Sequence, residues 1–221
     1  PLPLPPPRLF PTPWPAAVSV KEVVLPFRRF PGSDALLGPE MRSTGEVMSF
    51  GDNFAEAFAK AQIAAGNRLP TSGAVLVSLS DVDKREGIAL IGQLHDMGFE
   101  IVATRGTARA LQAMGIPTRS VPKVGEGRPD CVDVIAQGRI HLVVNTPSAG
   151  EGHTAPIFSL PESAELRGVP LPVAGPRSAG QRIRIAALDH HVPYVTTLVA
   201  LRATVAAIRF LRAGKLPVRA L

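Results

Sequence analysis

Cysteine is almost missing from this chain. Cys131 is the only one in 221 residues, so no internal disulfide can form, and a reducing compartment is the expectation. Aromatic residues make up 5%, with one tryptophan and one tyrosine, which leaves no aromatic strand for stacking nucleic-acid bases. No apolar run approaches the roughly 20 residues of a membrane span, and the start has no basic-then-apolar secretion pattern. A cytoplasmic location without membrane contact is therefore expected. Lys/Arg runs never exceed two, so the formal charge of +6 is scattered and no nucleic-acid partner is expected. Also absent are G-x-S-x-G, G-x-x-x-x-G-K-[ST] and G-x-G-x-x-G. The histidines (95, 141, 153, 190 and 191) fall in no metal-ligand spacing, so no metal site is expected.

Apolar residues reach 45% and charged residues 19%, and 221 residues are enough for one domain with a good core or for one domain plus a fragment. The start, "PLPLPPPRLFPTPWP" (1–15), lacks most backbone donors and reads as extended or disordered. Residues 18–30 predict one strand, and Pro31 to Pro39 a loop. "DNFAEAFAKAQIAAG" (52–66) predicts a helix capped by Asp52, with Phe54, Phe58, Ala61 and Ala65 on one stripe and Gly66 as its stop.

From Pro70 the pattern alternates. Strands are predicted over 73–80, 99–104, 118–123, 140–145 and 192–197. Helices are predicted over 83–98, 107–115, 129–138 with Pro129 in its first turn, 182–191 and 198–214. This is the grammar of an α/β, Rossmann-like fold, a parallel sheet wrapped by helices on both faces. Ligands in such sheets bind beyond the carboxyl ends of the strands. Those ends carry Lys84, then Thr104, Gly106 and Thr107, then Lys123 ahead of "VGEGRPD", then Asn145 and Thr146. Two ammonium groups, several hydroxyls, an amide and a helix N-terminus make a candidate phosphate pocket. Cys131 reads as core, and His190-His191 as a helix end.

Longer strings carry more. "VSVKEVVLPFRRFPGSDALLGPEMRSTGEVM" with "FAEAFAKAQIAAG" resembles the segment that closes the second ATP-grasp half of the carbamoyl-phosphate synthase large subunit. "SDVDK", "ATRGTA", "VPKVGEGRPD", "LVVNTPS" and "VPYVTT" resemble that subunit's C-terminal allosteric domain, which has the methylglyoxal-synthase-like fold. The Pro-rich start (1–15) does not resemble that subunit; beyond it the resemblance implies a C-terminal piece of an ATP-grasp domain (16–68) and an allosteric domain (69–221) with a divergent loop (149–181). It implies nucleoside monophosphate effectors, UMP and IMP, held by Lys84, Thr104, Gly106, Thr107, Lys123, Asn145 and Thr146. It further implies an ornithine site using Glu22, Tyr194 and Thr196. The implied partners are the rest of the large subunit and a glutaminase small subunit. ATP, Mg2+ and K+ are implied only for the full synthase, and no cofactor for this chain.

The chain departs from that pattern at Pro147, at Val195 and in the loop 149–181. The ATP-grasp catalytic carboxylates belong upstream of residue 16, so the chain is expected to be a truncated or separately encoded piece that makes no carbamoyl phosphate alone. A methylglyoxal-synthase-type lyase acting on dihydroxyacetone phosphate is the alternative. It needs a carboxylate base, and Glu126 and Asp130 stand nearby but out of register. A third reading is an interaction protein that docks through its Pro-rich start and the 149–181 loop.

Overall fold

The computed structural model describes residues 17–24, 45–147, 178–214 and 216. The Pro-rich start, the loop from Pro31 to Pro39 and nearly all of the divergent loop lie outside these residues.

Strands β1 (Val18–Val24) and β2 (Gly45–Gly51) pair antiparallel, Val18 opposite Gly51 and Val24 opposite Gly45. β2 has no counterpart in the sequence expectations. Its ladder is made with a partner some 25 positions away, and "GEVMSFG" has little β-branched character of its own. Helix α1 (Phe54–Ala64) follows, and its cap is Asn53 rather than Asp52: the Asn53 side chain accepts from the Glu56 N–H at 3.0 Å. Asp52 sits one residue too early, and its own N–H donates to the Glu56 carboxylate at 3.0 Å. Of the predicted apolar stripe, Ala61 is buried, Phe58 and Ala65 are half-buried and Phe54 is exposed. α1 buries Ala57, Ala59 and Ala61, whose small side chains bring it close to β2 and to the last helix. Phe54 and Phe58 stack on each other at 5.6 Å, and Phe54 stays 47% exposed.

The larger unit runs β3 (Ala74–Ser78), α2 (Lys84–Asp96), β4 (Glu100–Thr104), α3 (Arg105–Ala113), β5 (Arg119–Val121), α4 (Cys131–Ala136), β6 (Leu142–Asn145), α5 (Ala179–Asp189), β7 (Tyr194–Val195) and α6 (Leu198–Ala213). A short 3-10 turn, Asp81–Asp83, leads into α2. The five strands are parallel in the order β5-β4-β3-β6-β7. β3, β4 and β6 are buried almost throughout, as strands covered on both faces must be. On one face Val75, Val77, Ile101 and Val144 pack against Leu90, Ile91 and Leu94 of α2, Leu111 of α3, and Leu201, Val205 and Ile208 of α6. On the other, Leu76, Val102 and Val143 pack against Val134 and Ile135 of α4 and Ile183 and Ala187 of α5. This is the doubly wound α/β arrangement expected from the alternating pattern.

Several helix boundaries differ from the expected ones, and caps decide them. α3 starts at Arg105, so the glycine of "TRGT" lies inside its first turn, not in a loop before it. α4 starts at Cys131, leaving Pro129 outside: Asp130 caps it, accepting from Val132 and Asp133, and Asp133 reaches back to the Asp130 N–H. α5 starts at Ala179 behind a Ser178 cap that accepts from the Gln181 N–H at 3.0 Å. The stops at Gly98 and Gly115 are as expected: both have positive φ, 85° and 77°, and the next residue donates back into the helix. α5 ends by the same pattern, but with His191 at φ 57° in the glycine's place. Cys131 is wholly buried on α4, and burial first, then the Asp130 charge, pushes its thiol up to about 11.

Asp130→Ala removes the side-chain acceptor that caps the N-terminus of α4. The expected loss is about 1 kcal/mol, within the range for cap removal, and a fall in melting temperature of about 2–4 °C. Thermal denaturation against Asp130→Asn, which keeps an acceptor, checks this.

Candidate functional site

Parallel strands put all their carboxyl ends on one edge. The direction of winding reverses between β3 and β6, whose last residues Ser78 and Asn145 stand side by side in register. A crevice opens at such a reversal. Six of the seven residues expected to take a phosphate come from the segments that leave this edge at β3, β4 and β6, and Lys123 comes from the loop after β5.

The inner layer is a buried polar knot around the segment that follows β3. The Leu79 N–H donates to Thr107 Oγ1 at 3.1 Å, and the Ser80 N–H to Thr146 Oγ1 at 2.8 Å. The Thr146 N–H donates to the Ser78 carbonyl at 3.1 Å, and Asn145 Nδ2 approaches the same oxygen at 3.5 Å. Thr104 Oγ1 lies 3.3 Å from Ser78 Oγ and 3.4 Å from Thr107 Oγ1. Arg184, on α5 and 1% exposed, donates to Asn145 Oδ1 at 2.7 Å. Thr104, Thr107, Asn145 and Thr146 are all buried. These side chains therefore serve the fold itself. They replace the ladder that Leu79 and Ser80 leave behind when the strand ends. A hydroxyl that accepts still keeps its proton to donate, so Thr107 and Thr146 retain a donor each.

The outer layer is charged. Lys84 opens α2, and its Nζ lies 2.5 Å from Asp81 Oδ1. A Cβ built on Gly106 would stand 3.5 Å from that same Nζ, so the ammonium rests on the bare backbone of the first turn of α3. Among the described residues no side chain caps α3, and no acidic residue stands in its first turn, so none of them compensates the positive end of the helix dipole from within that turn. Lys123 belongs to the same place: its N–H donates to Glu126 Oε2 at 3.2 Å, and that carboxylate lies 4.0 Å from Arg105 of α3. The Asp81 carboxyl is held below the ordinary carboxylate range by the hydrogen bond and charge of Lys84, with the Lys123 charge adding to it. Beside Lys123 a cavity of about 300 Å³ is lined by Val124, Gly125, Gly127, Arg128, Asp130 and Arg182. A larger one, about 410 Å³, lies around Phe99 and Pro117 at the opposite ends of β4 and β5, away from these groups.

The other expected site is spread over two sheets. Glu22 stands on β1, half-buried, and burial raises its carboxyl pKa, opposed by a hydrogen bond from Gln62. Tyr194 lies on the edge strand β7, packed toward the α4–α5 face, and Thr196 follows it, half-buried. Among the described residues, no cluster of His, Cys, Asp or Glu could hold a metal ion, and no helix is long and apolar enough to cross a membrane.

Sequence reasoning missed Ser78, Asp81 and Arg184. Ser78 and Arg184 join the site through strand register and helix packing, which no local pattern reveals. Asp81 had a legible signal, an acid three positions before Lys84.

Comparison with known proteins adds the lineage. The MGS-like domain family matches residues 86–173. The carbamoyl phosphate synthase large chain of Thermotoga petrophila is 56% identical over 209 residues, 95% of this chain and 18% of that one. The same large chain from Pseudothermotoga lettingae is 49% identical over 213 residues, 96% of this chain and 18% of that one. That of Nostoc sp. is 42% identical over 205 residues, 93% and 16%. The chain thus spans less than a fifth of the length of these relatives. A crystal structure of methylglyoxal synthase from Elizabethkingia anophelis aligns at a TM-score of 0.40 and 16% identity, over 63% of this chain and 80% of that one.

Two measurements check the site's architecture. Thr107→Val strips the acceptor from the buried Leu79 N–H and is expected to cost about 1–3 kcal/mol in urea denaturation, while Thr107→Ser stays near the parent. For Glu22 the raised carboxyl pKa means that stability is fully present below the unfolded pKa and is lost as pH rises through the folded one. Glu22→Gln should therefore be more stable than the parent at pH 7, with the gap closing below about pH 4.

Proposed function

The chain belongs to the carbamoyl phosphate synthase large-chain family, and on that footing we propose that it is the regulatory portion of such a large chain, binding a nucleoside monophosphate through its phosphate. The observation that carries this reading is the seat of the Lys84 ammonium on Gly106, over an uncapped helix N-terminus, with Lys123 alongside. A phosphate dianion there would accept from the first-turn N–H groups of α3 and from both ammonium groups. Gly106 lets the anion reach the backbone. Thr107 and Thr146 supply hydroxyl protons, and Thr104 and Asn145 keep the wall in shape. The cavity beside Lys123 offers room for the rest of a nucleotide, in keeping with UMP or IMP as effector.

The same reading gives the signal a route. Lys84 is the first residue of α2; α2 is tied to α6 by Arg202 with Glu86 and by Arg209 with Gln93 at 2.9 Å; α6 packs on α1, and α1 on β1 and β2. A ligand that favours one seating of α2 therefore biases the position of the β1–β2–α1 unit. We assign that unit to the end of an ATP-grasp half, with the rest of the large subunit and a glutaminase subunit as its partners in carbamoyl phosphate synthesis for arginine and pyrimidines. Ornithine, on this reading, is taken by Glu22, Tyr194 and Thr196. The lyase alternative loses ground because its two candidate bases are engaged: Glu126 accepts from Lys123 and Asp130 caps α4.

Calorimetric titration with UMP and with IMP tests the reading. Saturable binding is expected, weakened about tenfold or more by Lys84→Ala or Lys123→Ala, as the loss of a charge-assisted bond implies. A folded protein that binds neither nucleotide sinks it.

A further inference from the structure

We propose that Asp81 competes within the chain for the phosphate cradle: its carboxylate pairs with the ammonium of Lys84 that an incoming phosphate needs, so Asp81 sets the affinity of the site and penalises ligands by their charge. The inference rests on the phosphate-binding reading above.

Asp81 opens the 3-10 turn three residues before Lys84, and its Oδ1 lies 2.5 Å from Lys84 Nζ. The two partners are unequally placed. The Lys84 side chain is 24% exposed, laid against the first turn of α3, whereas the Asp81 side chain is 92% exposed. The lysine is built into the wall and the aspartate reaches it from solvent. Asp83, two residues on, is held within the turn by the Ser80 hydroxyl at 2.6 Å. Among the described residues the Asp81 carboxylate hydrogen-bonds only to Lys84.

That geometry places a negative charge in a cradle that is otherwise positive. A phosphate must either draw Lys84 away from Asp81 or bind beside a like charge. An exposed ion pair is worth little, so the exchange is feasible, but it always carries a cost. Asp81 stays ionised through the second ionisation of a phosphate monoester near pH 6, because Lys84 and Lys123 keep its carboxyl below the ordinary range. Its penalty therefore grows as the ligand passes from monoanion to dianion.

The test is calorimetric titration of the whole chain with UMP at pH 8 and pH 5, at low and high salt, for the parent, Asp81→Asn and Asp81→Ala. Asp96→Asn, at the far end of α2 and 81% exposed, controls for the loss of one negative charge anywhere on the molecule. At pH 8 and low salt both Asp81 variants should bind about 2–5-fold tighter than the parent, the range for relieving one exposed like charge. The gain should shrink at pH 5 and at about 0.5 M salt, as screening requires, and Asp96→Asn should leave affinity unchanged. If the parent binds and the Asp81 variants bind equally or more weakly, Asp81 positions Lys84 instead of competing for it, and the proposal is overturned. It is overturned equally if Asp96→Asn gains as much. If parent and variants all fail to bind while folded, this proposal and the phosphate-binding reading fall together.

Discussion

Two hydroxyl oxygens hold the carboxyl edge of the parallel sheet in place. When β3 ends at Ser78, its backbone donors at Leu79 and Ser80 lose their neighbours in the sheet. Thr107 from α3 and Thr146 from the end of β6 accept from them instead. A buried N–H without a partner would cost about as much as a sizeable core truncation, so the segment is pinned where these acceptors stand. The 3-10 turn, Asp81 and the start of α2 all hang from that segment. The position of the Lys84 ammonium over Gly106 is thus decided two layers below the surface. The side chains that resemble ligand contacts in the sequence are also the frame on which the charged layer is mounted.

That double role explains what could be read from the chain alone. The strand and helix alternation was legible because buried parallel strands appear as short, continuous apolar runs such as "AVLVS", and because Gly98 and Gly115 mark helix ends. The gathering of Lys84, Thr104, Thr107, Lys123, Asn145 and Thr146 at one edge followed from parallel topology. What was not legible depends on register and on competition between caps. Asn53 displaced Asp52 because only its side chain lines up with the Glu56 N–H. "TRGT" entered α3 because Thr104, in extended conformation, could serve as the cap position. α1 turned its alanines inward because close approach to α6 favours small side chains over the larger phenylalanines. β2 depends on pairing with β1 and on packing against α1, both of them contacts outside its own segment.

Charge is distributed unevenly between successive helices on opposite faces of the sheet. α4 is closed at its N-terminus by Asp130 and Asp133, whereas α3 carries neither an acid nor a capping side chain in its first turn. The two helices flank the same loop, and one has its dipole satisfied from within while the other presents it outward. Arg105, Glu126 and Lys123 then tie the loop to the open helix end. The contrast between successive caps singles out α3 better than any motif does.

The lengths of the strands bear on how the chain meets others. The outer strands of the parallel sheet, β5 and β7, are three and two residues long. Such stubs offer almost no ladder to a foreign strand, so that sheet is protected against growth at its sides. The antiparallel pair is built the other way: β1 and β2 run seven residues each, with Met48 and Phe50 exposed on β2. Among the described residues the small sheet therefore offers the longer ladder for strand addition, and the larger sheet the shorter one.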